Sequence, residues 1–270
     1  MSAEPGELLD IARRAVALGA GLLAGSTPEQ IEQKSDRDFV TAVDRRIQNA
    51  LRDFLATATP GIEFLGEEVG GPDADPETAD AVWILDPIDG TSNFIHGLPL
   101  SAVSLALAQR GTPTIGVVSA PFLGLEYYAT AGGGAYCNGL PIRASTTTAL
   151  RDAIVSLGDY ATGAAATEKN VRRIALTAAL AASVERVRMF GSAALDLAWV
   201  AEGRTDACVI NSNKPWDTGA GVLIAREAGA TVTDFCGVAH TFASADTVAA
   251  TSGVSRELLK LIAAAVEASG

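Results

Sequence analysis

Ala81-Val82-Trp83-Ile84-Leu85-Asp86-Pro87-Ile88-Asp89-Gly90-Thr91-Ser92-Asn93-Phe94 decides the reading of this chain. Its first five residues form an uninterrupted apolar run, as a strand buried on both faces requires. Pro87 removes a backbone donor and fixes φ, so the chain turns there. A tight turn can point Asp86 and Asp89 at one spot. Two carboxylates that close repel each other, and a divalent cation turns the repulsion into coordination. Gly90 lets backbone approach a ligand, and Thr91-Ser92 suit the start of a helix, whose N–H groups suit a phosphate. Taken alone, Asp86-Pro87 and Asp89-Gly90 could be turn residues only. Acids at matching places argue otherwise. Glu67 and Glu68 follow a strand-like stretch, Asp44 follows Phe39-Val40-Thr41, and Asp217 opens a helix containing Gly219 and Gly221.

Outward from this string, apolar spacing near 3.6 predicts a helix through Leu8, Ile11, Ala15, Leu18 and Leu22. A second helix begins near Asp44, carries Ile47, Leu51 and Leu55 on one face, and stops at Thr59-Pro60-Gly61. Residues 70–80 read as an exposed loop. Strand-like runs at 101–108, 114–119 and 125–130, then the Asn138-Gly139 hairpin signal, predict an antiparallel meander. Beyond about residue 145, helix and strand alternate: strands at 153–157, 184–189, 206–210, 231–234 and 247–251, helices at 168–182, 192–201, 217–228 and from 255. The fold class is therefore α/β in the α+β sense, a layered mix in two packed halves, 1–145 and 146–270.

Composition narrows the function. The 270 residues carry 20 Lys+Arg against 32 Asp+Glu, a formal net charge of −12. This balance excludes nucleic acid as a partner, because phosphate backbones demand basic surface, and excludes polybasic membrane docking. No apolar run reaches the roughly 18 residues of a membrane span, and the N-terminus lacks the pattern of a signal peptide. Three scattered cysteines, Cys137, Cys208 and Cys236, fit a reducing cytoplasm and are expected to be buried and inert. Two histidines disfavour a zinc site. Trp83, Trp199 and Trp216 are expected to pack, and His96 to border the site or lie on the surface.

The sequence resembles the inositol monophosphatase family of Mg²⁺-dependent, Li⁺-sensitive phosphatases over nearly its whole length. The resemblance rests on Trp83–Phe94 and on Trp216-Asp217-Thr218-Gly219-Ala220-Gly221 with the residues to Gly229, supported by Asp38–Asp44, Gly66-Glu67-Glu68 and Phe190-Gly191-Ser192-Ala193-Ala194. It implies an α-β-α-β-α sandwich, also found in fructose-1,6-bisphosphatases, and a homodimer. It implies two or three Mg²⁺. Glu67, Asp86 and the Ile88 carbonyl would hold the first, Asp86, Asp89 and Asp217 the second, with a third near Glu67. Gly90 and Thr91 would grip the phosphate. Glu67 and the Asp44–Thr91 pair would act in catalysis by steering the attacking water.

Gly191, Ser192 and Ala193 would line the leaving-group pocket, with Asp89 and Asp217 also facing the substrate. Many inositol phosphatases place a glutamate shortly before the second signature. Here Asn211-Ser212-Asn213-Lys214 has no acid, so Asn211 and Asn213 stand in as polar contacts. Ser192 could serve only as a helix cap, and Lys34, near a basic position of the family, could be an exposed loop residue. The substrate expected is a small phosphate monoester, with myo-inositol-1-phosphate foremost. Histidinol phosphate, fructose-1,6-bisphosphate and a 3′-phosphonucleotide are alternatives on the same site. A catalytically inactive, metal-dependent regulatory binder is the rival from another class.

Overall fold

A computed structural model describes residues 4–68 and 74–267. The predicted layering is present. Helices α1 (Pro5–Ala24) and α2 (Ala42–Ala58) form the first layer. The apolar stripes read from the sequence are buried: Leu8, Ala12, Ala15, Val16 and Leu23 on α1, and Ile47, Leu51 and Leu55 on α2. Between them lies a small antiparallel hairpin, β1 (Glu32–Ser35) and β2 (Asp38–Val40). Only β2 carries a strand signal in its residues, because β1 is polar throughout.

The second layer is a sheet of seven strands in chain order: β3 (Glu63–Gly66), β4 (Val82–Asp89), β5 (Ala102–Gln109), β6 (Thr112–Ala120), β7 (Leu125–Thr130), β8 (Gly134–Cys137) and β9 (Leu140–Pro141). Only β3 and β4 run parallel; the rest is the expected meander. At the β8–β9 turn Asn138 and Gly139 both take positive φ, as an Asn-Gly hairpin requires. The short helix α3 (Thr91–Ile95) leaves the end of β4.

A second sheet has the order β11 (Arg186–Arg188), β10 (Ile154–Leu157), β12 (Ala207–Asn211), β14 (Asp246–Ala250), β13 (Thr231–Thr233). Its first three strands are parallel and the other pairings antiparallel. Helices α5 (Ala193–Glu202) and α6 (Pro215–Glu227) lie between the sheets. One core runs through this layer, joining Val82, Ile84 and Ala106 of the first sheet to Leu195, Leu197, Ala220 and Ile224 of the helices and Cys208 and Ala249 of the second sheet. Helices α4 (Ala166–Ser183) and α7 (Ser255–Glu267) cover the far face, where Leu176, Leu180, Leu258 and Ile262 pack on Val155, Val209 and Val248.

Two expectations need correction. Part of the 70–80 loop lies outside the described residues, but Ala74 and Ala79 are buried in the middle core rather than exposed. Cys137 and Cys208 are buried, whereas Cys236 is exposed. It follows β13 in a tight turn closed by Gly237 N–H donating to the Asp234 carbonyl, beyond the apolar sheet face. The tryptophans behave as packing residues. Trp83 is fully buried with its indole donating to Thr59 Oγ1 at 2.9 Å, Trp199 meets Phe190 edge-on at 4.5 Å, and Trp216 packs against the middle core.

Candidate active site

The site is built at the end of β4. All eight residues of the strand are buried. Its register against β5 slips between Asp86, opposite Ser104, and Asp89, opposite Ala102. One extra residue on β4 therefore bulges out at Pro87-Ile88, which re-aims the side chains on either side. Ile88 N–H donates to Asp86 Oδ1 at 3.0 Å across the turn. Gly90 then takes φ +86, and a Cβ there would lie 2.7 Å from the Leu100 carbonyl oxygen and 3.1 Å from that of Gly191. Only glycine fits this corner. Asn93 fastens the following turn, donating to the carbonyls of Leu100 at 2.8 Å and Phe190 at 2.7 Å.

Each predicted residue has a definite setting. Asp44 is fully buried in the first turn of α2. Its Oδ2 accepts from the N–H of Thr41 at 2.8 Å and its hydroxyl at 2.6 Å. Its Oδ1 lies 3.2 Å from Thr91 Oγ1, which also sits 2.9 Å from the Ile88 carbonyl. Burial raises the Asp44 pKa, and the Thr41 bonds offset part of the rise. Glu67 follows β3, its N–H bonded to the Leu85 carbonyl at 3.1 Å. Lys34 reaches from β1 to Glu67 Oε1 at 2.8 Å and to the buried Glu68 at 2.5 Å. Burial alone would lower the Lys34 pKa, but the two glutamates outweigh it and hold the ammonium charged. Gln48 clamps the Glu68 backbone at both ends, at 2.7 and 2.8 Å.

Asp89 is tied to the head of α5. Ser192 Oγ donates to its Oδ2, and the N–H groups of Ala193 and Ala194 donate at 3.2 and 2.8 Å. The positive end of the helix dipole points at this carboxylate. Ser192 also caps α5, accepting from Leu195 N–H at 3.3 Å, and Gly191 before it takes φ +71. Asp217 sits in the first turn of α6 and accepts from Lys214 N–H at 2.6 Å. Burial lifts the Asp89 pKa to about 6, against the pull of these donors, and the Asp217 pKa to about 7. Asp86 is raised well above its ordinary range, first by burial and then by the charges of Glu67, Asp89 and Asp217.

Glu67, Asp86, Asp89 and Asp217 thus act on one another electrostatically from β3, β4 and α6. Among the described residues no three His, Cys, Asp or Glu side chains are gathered into a ready-made metal cage. The donor set nevertheless fits a hard divalent cation. It is all oxygen, and its carboxylates destabilise each other's charge in the way a cation relieves.

The substrate candidates are less uniform. Asn211 ends β12 and is half-buried. Both ends of the Asn213 amide are engaged, with Nδ2 donating to the Ser244 carbonyl at 3.1 Å and Oδ1 accepting from Thr247 Oγ1 at 2.9 Å. His96 is exposed, its Nδ1 2.8 Å from the Ser92 carbonyl. Sequence reasoning missed Asp196, on α5 and buried with neither oxygen hydrogen-bonded. It also missed Arg173, a buried cation on α4. Helical spacing placed both on their helices but gave no sign of their environment.

Known proteins agree with this architecture. The inositol monophosphatase family pattern matches residues 5–270. A Thermotoga maritima fructose-1,6-bisphosphatase/inositol-1-monophosphatase is 36% identical over 90% of this chain and 90% of its own. The solved Thermotoga maritima inositol monophosphatase superposes with a TM-score of 0.88 at 34% identity, covering 97% of this chain and 99% of that one. A staphylococcal inositol monophosphatase-1, in an inhibitory complex soaked in LiCl, superposes with a TM-score of 0.82 at 26% identity, covering 97% and 96%. The chain belongs to the inositol monophosphatase family, a family of metal-dependent phosphatases.

Proposed function

We propose that this protein hydrolyses a small phosphate monoester in the presence of Mg²⁺, with myo-inositol-1-phosphate as the foremost substrate. The observation that carries this reading is the action of the Glu67, Asp89 and Asp217 charges on the buried Asp86, with Asp89 leading directly into the Gly90-Thr91 corner. Two or three Mg²⁺ bound by these carboxylates and the Ile88 carbonyl would supply charge neutralisation for the phosphate and an acidified water. The chain's own groups do the rest. Gly90 leaves room for a phosphate to approach the first turn of α3. Thr91 Oγ1, within 3.2 Å of Asp44 Oδ1, can donate to that carboxylate and accept a proton of the attacking water. Glu67, whose side chain is bonded to Lys34, is the alternative proton acceptor. Gly191, Ser192 and Ala193 form the wall facing the leaving alcohol, held in place by Asp89.

For the alcohol itself, the engaged amide of Asn213 leaves Asn211 as the polar contact for hydroxyls. A neutral amide accepts more weakly than the carboxylate usual in the family. Histidinol phosphate, fructose-1,6-bisphosphate and a 3′-phosphonucleotide therefore stay in the comparison. The name of the Thermotoga relative favours testing the bisphosphate next. Inhibition by lithium is expected by analogy with the staphylococcal enzyme. A homodimer in the cytoplasm is the accompanying assignment, the latter supported by three cysteines that form no disulfide.

The test is phosphate release from a panel of monoesters with Mg²⁺, ranked by kcat/KM. Glu67→Gln is the sharpest variant, because Glu67 is half-buried beyond the end of β3, bonded to Lys34 and acting on Asp86, and the amide keeps its size while removing its charge. It should lose roughly a hundredfold or more in kcat with the fold unchanged. Full activity in Glu67→Gln, or no Mg²⁺-dependent release from any ester while metal still binds, would overturn the assignment in favour of an inactive regulatory binder.

A further inference from the structure

A groove of about 1120 Å³ runs between α4 and α7 on the outer face of the second sheet. None of Asp44, Glu67, Asp86, Asp89, Thr91 or Asp217 lines it, and of the residues placed at the candidate site only Asn211, the proposed contact for the alcohol, reaches its edge. Its charge runs against that of the molecule. It holds five of the chain's 20 basic residues and only three of its 32 acidic ones. Lys169 and Arg172 stand exposed on the α4 wall, and Arg256 and Lys260 on the α7 wall. Among the described residues none of these four, nor Arg173, has a carboxylate within 4.0 Å. Of the groove's acids, Asp246 is occupied by the Phe235 N–H at 2.7 Å, while Glu168 and Glu267 lie exposed at the rim.

Arg173 is the cation set deepest. It is 9% exposed, an unusual state for a guanidinium with no carboxylate in ion-pair contact; the Asp159 charge acts on it only from beyond that distance. It donates to the Asp159 carbonyl at 2.6 Å and to Ser212 Oγ at 3.0 Å, which anchors the group and leaves its other N–H donors without an acceptor among the described residues. Guanidinium donors of that kind match phosphate oxygens. The floor is apolar: Leu176 and Ile262 are buried, and Phe235 and Leu259 half-buried. A bare inorganic anion would leave this floor wet. A ligand with an aromatic body and a phosphate chain would cover the floor and meet cations on both walls.

We propose that this groove binds a nucleoside phosphate, independently of the carboxylate site. The test is calorimetric titration of the full chain with ATP in EDTA, which keeps metal out of the carboxylate site. Saturable binding is expected, weakened by roughly tenfold or more in Arg256→Glu and in Lys260→Glu, both exposed positions where the fold tolerates the change. Glu67→Gln should bind as the wild type does. Cys236, an exposed thiol on the groove wall, gives an independent reading, since ATP should slow its alkylation by iodoacetamide. Three results would overturn the proposal. One is no saturable binding and no protection of Cys236. Another is binding lost in Glu67→Gln but kept in Arg256→Glu, which would place it at the carboxylate site. The third is inorganic triphosphate binding as tightly as ATP at equal ionic strength, which would leave the apolar floor without a role.

Discussion

At the scale of single residues, Gly90 and Asp196 show two ways in which a position can be constrained. Gly90 is fixed by both backbone angle and space. Alanine there must hold φ +86 and place a Cβ 2.7 Å from the Leu100 carbonyl oxygen, which is backbone and cannot swing away. Gly90→Ala should cost about 2–4 kcal/mol in urea unfolding. It should also lower phosphate release further than stability alone explains, because the corner carries the start of α3. Wild-type stability in that variant would contradict the close approach. Asp196 is fixed by neither. Both its oxygens are buried without a hydrogen bond. Burial raises its pKa well above the ordinary value, and nearby Ser156 offsets only part of this without reaching hydrogen-bond geometry. A raised folded pKa means that stability is fully present below the unfolded pKa and is lost as pH rises through the folded one. Asp196→Asn removes that loss. It should stabilise the protein at pH 8 by roughly 1–2 kcal/mol and change little at pH 4. A variant less stable than wild type at pH 8 would show that the charge has a partner.

At the scale of elements, the site depends on how closely α5 and α6 approach. The head of α5 holds Asp89 through Ser192, Ala193 and Ala194, and the head of α6 carries Asp217. Where the helices cross, Gly221 faces Leu197, and a Cβ on Gly221 would lie 2.6 Å from the Leu197 Cβ. Gly221→Ala must push the helices apart. A cost of about 1–3 kcal/mol is expected for such overpacking, with a fall in kcat/KM that exceeds the loss of folded protein. Normal kinetics in the folded fraction would show that the crossing does not set the site. Much at this scale was legible in the sequence. The buried strand at 82–85, the amphipathic stripes of α1 and α2, and the Asn138-Gly139 turn are local signals, written in spacing and turn chemistry. What was not legible is non-local. β1 is polar, and its lysine meets glutamates 33 and 34 residues away. Ser192 meets Asp89 across 103 residues. Arg173 falls where helical spacing allows either surface or core, and only the loops after β10 and β12 decide its burial.

At the scale of the whole molecule, net charge and the candidate site pose one question, because an acidic protein is expected to take an anionic substrate. Two sets of buried groups give stability opposite dependences on pH. His240 is buried, and its pKa is lowered to about 4 by burial and by Arg226. Its contribution is present above pH 6.5 and is lost as pH falls through about 4. Asp86, Asp89 and Asp217 have raised values, about 6 for Asp89 and about 7 for Asp217. Their contribution is present below the ordinary carboxylate pKa and is lost as pH rises through 6 and 7. In EDTA, melting temperature should therefore fall between pH 6.5 and pH 8, where His240 no longer changes. With Mg²⁺ the same carboxylates deprotonate to bind, so the cation's stabilisation should grow over that interval. At a hundred times its dissociation constant the ion would add about 2.7 kcal/mol, or roughly 5–10 °C for a chain of this size. Differential scanning fluorimetry with and without Mg²⁺ at pH 6 and pH 8 reads the difference directly. A Mg²⁺ shift equal at both pH values would mean that the ion binds elsewhere. A shift that appears only at the higher pH would make these buried acids the means by which a protein of net charge −12 presents a cationic surface to a phosphate.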